Sequence, residues 1–194
     1  MSLADVFESA DVALRDVVGR IGPEQWEMET PRGLRFRKHD RTLLDLVRHF
    51  AYDEIWVPDT LAGKTVEEVG DKYDGDLLGD DVKGSFARIV ATGVAAVRRF
   101  DDFDRVVHLS YGDYPAQVYL EHITIFRGFG TFDIAKLIGA DTALPEDLVR
   151  GLWDIIEPQA EELRELGVFG PKVVVKDDAP LRDRLMGLSG REPA

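Results

Sequence analysis

Cysteine is absent from the 194 residues, and with it go disulfides, thiolate nucleophiles and sulfur-ligated metals. Any thiol chemistry would have to enter with a bound cofactor. Long apolar runs are absent as well: no segment approaches the roughly 20 residues that a membrane-spanning helix needs. The opening residues, Met1-Ser-Leu-Ala-Asp-Val-Phe-Glu8, have neither the basic nor the apolar region of a secretory leader, so the expected location is the cytosol. Positive charge is scarce, with 24 Lys and Arg against 37 Asp and Glu and a formal charge of -13. Such a balance repels phosphate backbones and anionic headgroups. One basic cluster, Arg32, Arg35, Arg37, Lys38 and Arg41, works against it, but Phe36 is its one interleaved aromatic. The expected partner is a small molecule, with no nucleic acid and no membrane; a homodimer is left open.

What is present is helical periodicity. Val6, Phe7, Leu14, Val17, Val18 and Ile21 recur at helical spacing and predict a first helix over Leu3 to Ile21, stopped by Gly22-Pro23. A second runs through Thr42-Leu-Leu-Asp-Leu-Val-Arg-His-Phe-Ala-Tyr-Asp-Glu-Ile-Trp-Val57, with Leu43, Leu46, Val47, Phe50, Val57 and Leu61 as its core stripe. A long connection through Asp74-Gly75 and Gly79-Asp80 leads to a third helix over Val82 to Phe100. Arg105 to Tyr114 reads as extended, with Gly112-Asp113 as a turn and Pro115 opening a fourth helix that reaches Gly139. A fifth helical segment spans about Pro145 to Leu166, followed by an irregular strap and a short helix from Leu181 to Leu188. The fold class expected is all-α, a four-helix bundle over 1–140 with a helical and irregular C-terminal arm, 141–194, packed on it as one domain.

The chemistry centres on His49. It lies on the flank of the second helix's apolar stripe, four residues before Asp53, and a titratable pair at the edge of a core is how a bundle builds a metal or acid/base site. It is equally how a protein orients one structural histidine. On the fourth helix Tyr119, His122, Phe126, Phe129 and Asp133 share a face. Gly128 and Gly130 cost about 1 kcal/mol each relative to alanine in such a helix, for which close packing or space for a ligand beside His49 are the two explanations. His108 and Ser110 stand near Tyr111 and Asp113 in the extended link, His39 sits in a polar segment, and Trp26, Trp56 and Trp153 are expected in the core.

The histidine in Leu46-Val-Arg-His-Phe50, the Phe132-Asp-Ile-Ala135 followed by Ile138-Gly-Ala-Asp141, the Gly167-Val-Phe-Gly-Pro171 and the terminal Leu188-Ser-Gly-Arg-Glu-Pro193 carry a resemblance. From about residue 5 to 193 the chain resembles actinobacterial proteins of the DinB-like superfamily, which includes mycothiol-dependent maleylpyruvate isomerase, and within it a single-domain branch labelled metal-binding. The resemblance implies a DinB-like four-helix bundle and a thiol-dependent transferase or isomerase acting on a small electrophile. It also implies two cofactors, mycothiol and a divalent metal such as Zn, Ni, Mn or Fe. His49 matches the metal ligand on the second helix. The other two ligand positions fall on Phe126 and Gly130, neither of which can bind a metal, so the implied site is degenerate. The antiparallel pairing of helices in such bundles brings Asp53 opposite His122, which leaves His49, Asp53 and His122 as the metal set expected here, or a metal-free bond from Asp53 to His122. Phe126 is expected to fill the lost ligand position as a buried aromatic, and Phe126→Glu with Gly130→His to restore metal binding. The rival to catalysis is a metal-free module that binds a small molecule or a protein.

Overall fold

Two capping boxes set the starts of the helices that carry the site. The computed structural model describes residues 1–34 and 41–193; Arg35, Arg37, Lys38 and His39 of the basic segment therefore lie outside the described residues. In α1 (Leu3–Gly19) the Ser2 side chain accepts from the Asp5 amide while Asp5 accepts from Ser2, and in α2 (Leu43–Ile55) Thr42 and Asp45 do the same, satisfying amides that a helix start leaves without a partner. The described chain is mostly helical, with one two-stranded antiparallel sheet.

Helix α2 ends at Trp56 because Pro58 has no N–H to give and its ring crowds the carbonyl four residues earlier. A short α3 (Val57–Leu61) follows, and α4 (Val66–Val69) lies in the long connection before the next helix. Next comes α5 (Val82–Arg98), capped by Asp81. Strands β1 (Val106–Leu109) and β2 (Gly112–Pro115) pair with Leu109 opposite Gly112 and His108 opposite Asp113. The turn is thus Ser110-Tyr111. The expected turn at Gly112-Asp113 is corrected, since Gly112, at φ 141°, begins the returning strand.

Helix α6 (Ala116–Ile138) then runs without a break to Gly139, whose φ of 70° closes it in the left-handed conformation that glycine adopts freely. The fifth segment is interrupted at Pro158. It forms α7 (Glu146–Ile156), a 3-10 turn over Glu157–Gln159, and α8 (Ala160–Glu165), and α9 (Leu181–Leu188) ends the chain's regular structure.

Helix α1 packs on α6, α5 and α7, and α2 packs on α5. The stripe read on the second helix is buried throughout, from Leu43 to Leu61. The C-terminal segment shares one apolar cluster with the N-terminal part: Leu148, Leu152 and Met186 with Val6, Phe129 and Phe132. The costly helix glycines have a packing reason. A Cβ on Gly128 would come within 2.5 Å of Leu152, and one on Gly130 would overlap the Phe50 ring.

Candidate functional site

One turn of α2 places Tyr52, Asp53 and Trp56 side by side, and the i, i+3, i+7 spacing of Tyr119, His122 and Phe126 gives α6 a matching face. The β1–β2 hairpin adds His108 from β1 and Ser110 and Tyr111 from its turn. Together these residues line a cavity of about 230 Å³. Its walls are mainly aromatic. Tyr52 and Trp56 meet at 6.0 Å between ring centroids, and Tyr73 supports the far side of Trp56 edge-on at 5.6 Å. Tyr111 and Tyr114 both pack against the His122 ring. The indole N–H of Trp56 is buried without an acceptor among the described residues, a donor that burial makes costly unless another group accepts from it.

The expected metal set is only partly brought together. His49 Nε2 lies 3.2 Å from Asp53 Oδ2, so this i, i+4 pair forms. Asp53 and His122 line the same cavity, whereas His49 lines a neighbouring one of about 250 Å³ with Arg48, Tyr52 and Asp76. The shared cavity expected for His49 and His122 is therefore corrected to two cavities on either side of Tyr52. The expected bond from Asp53 to His122 is corrected as well: Asp53 is taken by His49, and His122 Nδ1 lies 3.4 Å from the Tyr111 hydroxyl. A neighbour one turn away on the same helix is reached by rotamer choice alone, which favours His49 over a residue across the cavity.

Protonation follows from burial. Loss of solvent pushes the His122 imidazole below its usual value, against the pull of the Glu121 charge, so His122 is neutral near pH 7. Partial desolvation, with Tyr114 and the Asp53 charge nearby, pushes the Tyr111 phenol up to about 12. Tyr119, fully buried, is raised further still. Across the hairpin His108 Nδ1 meets Asp113 Oδ1 at 2.8 Å, which leaves Nε2 as the ring's other polar atom. Ser110 stands on the same wall.

Sequence reasoning missed the most strongly charged feature of the interior. Asp11 of α1, Glu54 of α2 and Arg127 of α6 are all buried. Arg127 Nε donates to Glu54 Oε2 at 2.7 Å, its Nη2 reaches the same oxygen, and Nε also stands 2.6 Å from Asp11 Oδ1 in ion-pair contact without hydrogen-bond alignment. Two carboxylates share one guanidinium. Desolvation first, and the Glu54 charge second, raise Asp11 well above the usual carboxylate range, which favours its neutral form beside the Arg127–Glu54 pair. Gly93 of α5 leaves the room, since a Cβ there would overlap the Glu54 carboxylate. Asp11 inside the Val6-to-Val18 stripe was the available signal.

The superfamily's metal does not fit these residues. Phe126 is apolar and 43% exposed, not the buried filler expected, and the side-chain space of Gly130 is taken by Phe50. Among the described residues no three His, Asp or Glu side chains group as a metal site. Trp56, expected in the core, lines the cavity instead, and Trp26 and Trp153 are half-buried. No described helix is long and apolar enough to cross a membrane. Compared with family models, curated proteins and solved structures, the chain matches none.

Proposed function

We propose that the protein binds a small organic molecule, without a metal, in the cavity between α2, α6 and the hairpin, on a DinB-like four-helix bundle. The observation that carries this reading is the aromatic cavity of about 230 Å³ with Asp53, His108 and His122 on its walls. Mostly apolar walls with a few converging polar groups are the usual composition of a ligand site. The volume lies below the ~300–1,000 Å³ of drug-sized sites, which suits a smaller molecule. A thiol-dependent transfer or isomerisation of a small electrophile would use the same space, with His108 and His122 handling protons where the superfamily uses a metal.

The test is a titration of the full chain with a neutral probe, benzyl alcohol, followed by the indole N–H resonance of Trp56. A saturable shift is expected, and His122→Trp, which fills the cavity, abolishes it while the fold melts near the native temperature. An unmoved Trp56 resonance, or an equal shift in the filled variant, contradicts the reading.

A further inference from the structure

We propose that the ligand class of this cavity is a small organic cation, an alkylammonium group held by an aromatic cage closed by one carboxylate. The proposal rests on the small-molecule reading above and narrows it. Five rings line the space: Tyr52 and Trp56 from α2, Tyr119 and Phe126 from α6, and Tyr111 from the hairpin turn. Rings arriving from three elements surround a guest on several sides. Where a ring turns its negative face to the space, a cation is preferred over a neutral molecule of equal shape.

Asp53 decides the sign of the charge. Its carboxylate lies on the same wall and is felt electrostatically by both Tyr111 and Tyr119. One of its oxygens is engaged by His49; a carboxylate has two oxygens and about four acceptor positions, so it can serve a guest as well. Among the described residues no Lys or Arg lines the cavity. The two histidines on the wall do not reverse the sign, because burial disfavours the charged form of His122 and His108 is already paired with Asp113. A chain of formal charge -13 also concentrates cations near its surface. An anionic guest would meet Asp53 without a fixed counter-charge among the described residues.

The experiment compares two probes of nearly equal shape on the full chain: choline, and its neutral carbon isostere 3,3-dimethylbutan-1-ol. Binding is read from the Trp56 indole resonance. Choline is expected to bind at least about tenfold more tightly, a factor equivalent to ~1.4 kcal/mol and within the range of desolvated cation–π contacts. Asp53→Asn should abolish most of the preference while leaving the isostere's binding unchanged. Tyr111→Phe should keep it, and Tyr111→Leu, at an exposed position where folding is not at stake, should reduce it. Equal affinity for the two probes, or binding of benzyl alcohol with no binding of choline, overturns the cation assignment and leaves the cavity reading standing. Failure of all three probes overturns both.

Discussion

Phe126 and Phe132 lie six residues apart on α6, yet they differ sharply in burial. Phe132 is 1% exposed and Phe126 43%, and truncating a buried aromatic costs ~3–5 kcal/mol. Phe132→Ala should therefore lose that much stability in a thermal or denaturant melt. Phe126→Ala should lose far less, about 1 kcal/mol, because much of its ring already faces water. At His122 the expectation concerns protons. With its folded pKa held below the ~6.5 of a free histidine, it binds fewer protons in the folded chain than in the unfolded one, so its contribution to stability is present above 6.5 and is lost as pH falls through the folded value. An NMR titration of the ring should give a midpoint below 6.5 in the native chain, and a midpoint at or above it would show that His122 is not desolvated.

Between helices, the Asp11–Arg127–Glu54 cluster ties α1, α6 and α2 together, and Gly93 of α5 makes its space. Gly93→Ala should destabilise by ~1–3 kcal/mol through overpacking against the Glu54 carboxylate, while Gly19→Ala, with nothing among the described residues within 4 Å of its added methyl, should not. Arg127→Met, which leaves buried carboxylates without their cation, should cost ~3–5 kcal/mol. Asp11→Asn behaves differently. A carboxyl with a raised folded pKa contributes stability that is full below the ~3.9 of a free aspartate and is lost as pH rises from there to the folded value, so the variant should gain on the native chain as pH rises over that range in parallel urea titrations. A constant difference across that range would mean that Asp11 is ionised throughout. The cluster was hard to see in the sequence because each member looks like an ordinary polar interruption of an apolar stripe; only the packing of three helices shows that they meet. The helices themselves were legible, since 3.6-residue periodicity and capping residues act locally. The breaks at Pro58 and Pro158 were written in the sequence too, but the apolar pattern continues through them and masked the interruption.

For the molecule as a whole, the pairing of His49 with Asp53 was readable from four-residue spacing, whereas the separation of His49 from His122 depends on where Tyr52 stands between two cavities. The ligand positions of the resembled superfamily follow the same logic. Because Phe50 fills the space beside Gly130, Phe126→Glu with Gly130→His, expected from the sequence to restore metal binding, should fail to do so and should destabilise the fold. Calorimetric titration with Zn should detect no tight site in either protein. The account stands or falls on where a small guest sits. Intermolecular NOEs between benzyl alcohol and the isotope-labelled full chain locate it directly: contacts from the probe's ring to Trp56, Tyr111 and His122 are predicted, and contacts confined to Arg48 and Leu77 in the neighbouring cavity, or none at all, would contradict it.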